Sequence, residues 1–116
     1  GAVVWHTTHL AFGGIGFSID VTTSNDIYIT GFQPYSSGTP ISNFNGGDDA
    51  FLARIDGSGN MLWHTYMGSG GKDWGYGIIA DGSNNIYVTG ASSATWGSPI
   101  NAFAGAGFSE SKKCFA

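Results

Sequence analysis

The chain is poor in charge and in long apolar runs, and each shortage excludes a class of protein. Charged residues make up 10% of the 116 residues, and the formal net charge is −4. The four basic side chains provide no cationic stripe for a phosphate backbone, so nucleic acid is not an expected partner. No apolar run approaches the roughly 20 residues that a membrane span needs, and no membrane span is expected.

Cysteine is also scarce, because Cys114 is the only one. A single thiol cannot form an intrachain disulfide, so the fold must be held by other means. The apolar content of 41% and the 20 glycines indicate a folded chain rich in turns. Sparse Lys and Glu beside abundant Gly, Ser, Thr, Asn and aromatic residues is typical of extracellular or cell-envelope proteins, and we expect that location.

The chain contains an internal repeat. The triplet WHT at residues 5–7 recurs at 63–65, and the stretch SNDIYITG at 24–31 recurs as SNNIYVTG at 83–90. With the halves aligned at a separation of 59, 13 of the 31 positions from Gly16 to Gly46 are identical. A fixed period of this length predicts a duplicated structural unit. We assign residues 1–58 to the first repeat and 59–116 to the second.

Each repeat has the pattern of short strands separated by Gly, Asn, Asp and Ser, without helical periodicity. The links DGSGN and DGSNN are typical of tight hairpin turns. The predicted fold class is all-β, with two four-stranded antiparallel sheets. The predicted strands are Val3–Leu10, Gly16–Val21, Asp26–Phe32, Ala50–Ile55, Met61–Met67, Tyr76–Ala80 and Asn85–Ala91.

Both faces of these predicted sheets carry apolar side chains. Ile27 and Ile29 point to one face of their strand, whereas Tyr28 points to the other. One sheet cannot cover both of its faces, but repeated sheets stacked around an axis can, as the blades of a β-propeller do. We therefore predict two propeller blades whose remaining faces are covered by neighbouring blades, either from other copies of the chain or from a longer chain.

Two stretches, DDAFLARIDGSGNMLWHTYMG and WHTYMGSGGKDWGYGIIADGSNNIYVTG, resemble the SBBP-type β-propeller repeat family. Members named for seven blades would need about seven such units, whereas this chain holds two. The resemblance covers nearly the whole chain. It implies a scaffold of the kind found in large bacterial surface or secreted proteins, and it implies no single activity. Three copies of a two-blade chain would supply six blades and four copies eight, so self-association is the expected partnership.

The C-terminal tail departs from the repeat. The register calls for a strand resembling DAFLARID, but residues 107–116 read GFSESKKCFA. We therefore expect the last strand of the second repeat to be altered or missing.

The repeated His6 and His64 lie within predicted strands, which favours structural hydrogen bonds over metal binding or catalysis. The G-x-G-x-x-A pattern at residues 75–80 opens a strand and not a helix, so it does not indicate a dinucleotide site. The adjacent Asp48 and Asp49 are expected at the surface. No catalytic constellation, metal site or cofactor is predicted.

The remaining candidates are aromatic side chains in the connections, namely Trp74, Trp96 and Tyr35. Exposed aromatic rings near Asn, Ser and Asp are suited to binding a glycan or a protein partner, although both tryptophans also fit packing between blades. The expected function is a non-enzymatic scaffold or binding module. The alternatives are a propeller-type enzyme, such as a polysaccharide lyase or hydrolase, and a lectin-like propeller.

Overall fold

The computed structural model describes residues 5–6, 14–81, 83, 85–98 and 113–115. Within these residues the chain forms strands, turns and loops, and no helix long and apolar enough to cross a bilayer is found in this part of the chain. The strands are β1 (Ile15–Val21), β2 (Ile27–Gln33), β3 (Asp49–Ile55), β4 (Met61–Met67), β5 (Asp73–Ala80), β6 (Ile86–Ser92) and β7 (Lys113–Phe115).

The strands form two antiparallel sheets. Sheet I has the order β1-β2-β3-β4, and sheet II has the order β5-β6-β7. The predicted all-β class and the propeller-like arrangement of consecutive antiparallel strands are confirmed. The six predicted strands from Gly16 to Ala91 agree with β1 to β6 to within three residues at each end. The predicted strand Val3–Leu10 lies outside the described residues apart from Trp5 and His6.

In both DGS turns the aspartate carboxylate accepts hydrogen bonds from backbone N–H groups of the turn. Asp56 Oδ1 accepts hydrogen bonds from the backbone N–H groups of Ser58 and Asn60, both at 2.9 Å. Asp81 makes the equivalent bonds to Ser83 at 2.8 Å and Asn85 at 3.0 Å. The carboxylates of both DGS turns are therefore used in the turns themselves, as the sequence predicts.

The duplication is visible in the backbone as well as in the sequence. The pairing of β1 with β2 is interrupted between Gly16 and Ser18, and the pairing of β5 with β6 is interrupted between Gly75 and Gly77. The extra residue in each case is an aromatic one, Phe17 in the first strand and Tyr76 in the second. Equivalent residues in the two repeats therefore form the same β-bulge.

The limits of sheet I are offset from those of the sequence repeat. Sheet I runs from Ile15 to Met67, because β4 follows the tight turn at residues 56–60 and pairs with β3. The 59-residue period is preserved, but sheet I begins at Ile15 and sheet II at Asp73, and not at residues 1 and 59. The assignment of residues 1–58 and 59–116 as separate repeats remains a prediction.

The tail contributes a third strand to sheet II. Phe115 pairs with Gly90 in the register position that Phe51 holds opposite Gly31. Residue 113 likewise takes the register position of Asp49. Strand β7 therefore begins five residues later in the chain than the 59-residue period predicts. Three of its residues pair with β6. The other residues of the atypical tail 107–116 lie outside the described part of the chain.

The two sheets pack face to face, and equivalent positions define two faces. We call the face with Tyr28 and Thr30, and its equivalent in sheet II, the leading face. The opposite face, with Ile19 and Ile29 in sheet I, is the trailing face. The leading face of sheet I packs against the trailing face of sheet II. Their shared core contains Tyr28, Leu52, Ile78 and Val88, with Trp63, Met67, Ala80 and Ile86 packed around it.

A second apolar cluster lies on the trailing face of sheet I. It contains the buried side chains of Phe51, Ala53 and Tyr66. Phe44, from the loop after β2, packs over this cluster, and its ring meets that of Tyr66 edge-on at 5.4 Å. The loop therefore covers the β3–β4 half of this face and leaves the β1 half open.

Candidate binding site

The three aromatic candidates lie at the same end of the two sheets. Tyr35 follows the end of β2, Trp96 follows the end of β6, and Trp74 is the second residue of β5. Because neighbouring strands are antiparallel, the ends of β2 and β6 lie beside the starts of β3 and β5. Connections at one end of stacked sheets are the usual place for a binding surface in such folds.

Trp74 is half-buried and packs within this end. Its ring stacks on Phe32 at a centroid distance of 4.9 Å and an interplanar angle of 21°. It also lies 6.2 Å from both Phe17 and Tyr76. The indole Nε1 donates to Asp48 Oδ2 at 3.3 Å. The aromatic contacts join residues of both sheets, so this side chain contributes to sheet packing.

Tyr35 and Trp96 differ in exposure. The Tyr35 side chain is 65% exposed and its ring is available to a ligand. Trp96 is half-buried. In the aligned repeats, Tyr35 corresponds to Ala94 and Trp96 corresponds to Ser37. The two candidates are therefore not copies of one site, and each belongs to its own loop.

A buried polar network, which the sequence alone does not reveal, holds the loop that carries Tyr35. Tyr66 Oη donates to Gln33 Oε1 at 2.6 Å and accepts the backbone N–H of Ser37 at 3.0 Å. His64 Nε2 lies 2.8 Å from the carbonyl oxygen of Ser37, to which it donates. The four residues are buried, so water cannot replace these bonds easily.

The structural interpretation of the repeated histidines is confirmed for His64, which is buried and hydrogen-bonded to the loop. Its counterpart His6 is exposed. The preceding residue, Trp5, donates from its indole Nε1 to the carbonyl oxygen of Gly57 at 2.9 Å. The shared Trp-His pair therefore has two different environments, as expected of an inherited pattern and not of a duplicated site.

The expected surface position of Asp49 is wrong. Asp49 begins β3 and is fully buried, and so is Asp73 at the start of β5. Asp49 Oδ2 accepts the backbone N–H of Asn45 at 2.6 Å. Asp73 Oδ2 accepts the N–H and hydroxyl of Ser69 at 2.7 and 2.9 Å. Each carboxylate thus caps a loop residue four positions earlier, which explains why a charged residue lies inside.

Asp48 connects the two loops that precede β3 and β5. Its N–H donates to the carbonyl oxygen of Gly71 at 2.9 Å, and its own carbonyl oxygen accepts the N–H of Asp73 at 2.6 Å. The remaining Asp73 oxygen accepts the hydroxyl of Ser92. The carboxylates at this end therefore have structural partners. Among the described residues, no three His, Cys, Asp or Glu side chains converge to hold a metal ion.

Titration of the Asp49 carboxyl group is expected to change the free energy of unfolding between pH 5 and pH 7. Burial raises its pKa to about 6, against the lowering effect of the Asn45 N–H, and the negative charges of Asp73 and Asp48 add to the rise. Among the described residues its Oδ1 has no hydrogen-bond partner. The ionised carboxylate is therefore incompletely solvated in the folded state.

We expect the chain to become more stable as the pH falls from 7 to 5. In this range the folded state takes up a proton at Asp49 while the unfolded chain, with a pKa near 3.8, remains ionised. The gain should be roughly 1 kcal/mol. The lowered pKa values of Asp56 and Asp81 do not contribute, because these groups titrate below this range.

Urea unfolding at pH 5, 6 and 7 measures this effect, and Asp49→Asn is the matched control. The variant keeps an acceptor for the Asn45 N–H but cannot ionise, so its stability should change little over the same range. Equal pH slopes for the wild-type chain and the variant would contradict the assignment.

Comparison with known proteins identifies one segment of the chain as similar to a known repeat family. Residues 62–95 match a family model described as SBBP, the beta-propeller repeat. The matched segment runs from β4 through β5 and β6 to the start of the next loop, and it includes Trp74. No curated protein matches the chain.

Proposed function

We propose that this chain, which contains an SBBP-type β-propeller repeat, is a non-enzymatic module that serves as a scaffold and presents a binding surface. The observation that carries the proposal is the packing of two repeat-equivalent sheets, leading face against trailing face, with loops gathered at one end. This arrangement supports a module extended by blade–blade contacts. The low charge and turn-rich composition support a place on a bacterial surface or in a secreted protein.

The non-enzymatic part of the proposal is supported by how the reactive side chains are used. His64 fixes the carbonyl group of a loop, and Asp73 caps another loop. Asp56 and Asp81 close hairpin turns. A general acid or base needs a free face towards a substrate, whereas these groups are committed to structural hydrogen bonds.

The binding part of the proposal rests on the loop after β2. Tyr35 presents a largely exposed ring, and Tyr66 Oη of the buried network contacts the loop at the N–H of Ser37 (3.0 Å) and the carbonyl oxygen of Tyr35 (3.5 Å). Ile41 in the same loop is 71% exposed. A rigid support under an exposed aromatic ring lowers the entropy cost of binding, and rings of this type stack on sugars or protein side chains. We favour a glycan, since Ser36 and Thr39 are exposed and supply hydroxyl groups nearby in the loop.

The test measures binding of the intact chain to a defined panel of polysaccharides, together with their cleavage. We expect Tyr35→Ala to weaken glycan binding about tenfold, which corresponds to the loss of about 1.4 kcal/mol of stacking. Ile41→Ala is the matched control, because it shortens an exposed side chain of the same loop without removing an aromatic ring.

Three outcomes are informative. Glycan binding that depends on Tyr35 supports the proposal. Binding unaffected by Tyr35→Ala would overturn the assigned surface. Release of oligosaccharides or unsaturated sugars by the chain would identify a propeller-type enzyme and overturn the non-enzymatic role.

A further inference from the structure

Sheet II leaves its leading face uncovered. Tyr87 occupies the position equivalent to Tyr28, but its side chain is 58% exposed whereas that of Tyr28 is 2% exposed. Ile79 and Thr89 lie beside it in the paired strands and are exposed as well. Tyr87 is therefore exposed at a position whose equivalent in sheet I, Tyr28, is covered by the other sheet.

Sheet I leaves part of its trailing face uncovered. Ile19 is 62% exposed, whereas its equivalent Ile78 is 7% exposed in the core between the sheets. Val21, the equivalent of the core residue Ala80, is also exposed. Each open face therefore carries part of the contact that the chain already makes once internally.

The hydrogen bonding of Asp20 makes these halves compatible. Within the chain, Asp20 Oδ2 accepts the backbone N–H of Ala80 from the facing sheet at 2.7 Å. The residue equivalent to Asp20 in sheet II is Ile79, whose side chain cannot accept a hydrogen bond. The N–H equivalent to that of Ala80 belongs to Val21, and it already donates to Asp20 Oδ1 at 3.0 Å. Contact between Ile79 and Val21 would therefore bury no unpaired N–H group.

We propose that the leading face of sheet II binds the trailing face of sheet I in a second copy of this chain. The proposal rests on the proposed scaffold function and names its partner. The contact joins two different surfaces and is heterologous, so successive copies add in one direction and form a closed ring or an open chain. Within the chain, Tyr28 and Ile78 share one apolar core. Between copies, their equivalents Tyr87 and Ile19 would share the corresponding core.

Disulfide trapping tests the direction of the contact. All chains carry Cys114→Ser, and one population carries Ile19→Cys while the other carries Tyr87→Cys. We expect the mixture to form a crosslinked dimer containing one chain of each kind, at least tenfold faster than a mixture of Ser58→Cys with Tyr87→Cys. Ser58 is an exposed turn residue outside both faces and is the matched control.

The alternatives give different products. A contact between like faces would yield dimers of Ile19→Cys alone or of Tyr87→Cys alone and would overturn the proposal. A mixture that links no faster than the control would also overturn it.

Native mass measurement provides a second test without crosslinking. We expect Tyr87→Arg to shift the wild-type oligomer to the monomer, while Tyr35→Arg leaves it intact, since both tyrosines are exposed but only one lies on the proposed contact. A wild-type chain that stays monomeric at high concentration would overturn the proposal. That result would leave the proposed non-enzymatic glycan-binding role standing, because glycan binding and cleavage are measured separately.

Discussion

Gly31→Ala is expected to destabilise the chain by about 3 kcal/mol or more, which is a large part of the stability of a small β domain. Gly31 lies in the middle of β2, opposite Gly16 of β1. A Cβ atom at this position would lie 1.9 Å from the carbonyl oxygen of Ile15 and 2.9 Å from the Cα atom of Gly16. These are backbone atoms, so the clash cannot be relieved by a side-chain rotation, and β1 has to move away from β2.

Gly16→Ala is the matched control for this prediction. It introduces the same methyl group on the opposite strand of the same pair, where the nearest atom is Ile29 Cγ2 at the ordinary contact distance of 3.6 Å. Its effect should stay within about 1 kcal/mol in either direction, because Ala restricts the unfolded chain more than Gly does and this offsets the cost of the added methyl group. Denaturant unfolding measures both variants. Equal losses for the two would show that the close approach of β1 to Gly31 does not limit the fold.

The strands and their duplication could be predicted from sequence because both leave local signals. The alternation in NDIYITG and the turn chemistry of DGSGN each depend on neighbours only a few residues away. The bounds of β4 were predicted without error for this reason. The second copy of the pattern, at residues 83–90, predicts the same turn and strand independently.

The burial of Asp49 could not be predicted in this way. A pair of acids before an apolar strand is ordinarily solvent-exposed, and the pattern contains no sign of the loop that folds back over it. The cap to Asn45 depends on the path of residues 34–48. The spacing of four between Asn45 and Asp49, repeated between Ser69 and Asp73, is the signal that could have identified it.

The candidate binding residues were predictable only as a set of residue types. Tyr35, Trp74 and Trp96 each stand out as aromatic residues near Gly and Ser. Their separation into an exposed ring and half-buried rings depends on contacts with residues distant in sequence, such as the stacking of Trp74 on Phe32. Exposure at a loop is a tertiary property, so the sequence could name the candidates but could not rank them.

The pair Tyr28→Ala and Tyr87→Ala should separate folding from assembly. The two tyrosines occupy equivalent positions of the two repeats, but Tyr28 fills the core between the sheets. Its replacement removes a large buried side chain, and the resulting cavity should cost about 3 to 5 kcal/mol in the free energy of unfolding. Tyr87→Ala should cost less than about 1 kcal/mol in a monomer, because its side chain is largely exposed there.

The effect of Tyr87→Ala on stability should depend on protein concentration. If the open face of sheet II binds a second copy, the Tyr87 side chain becomes buried in the oligomer as Tyr28 is buried in the chain. The unfolding midpoint of the wild-type chain should then rise with protein concentration, and this rise should be absent in Tyr87→Ala. Unfolding curves at two protein concentrations at least tenfold apart measure it. If Tyr87→Ala keeps the full concentration dependence, the subunits bind through another surface.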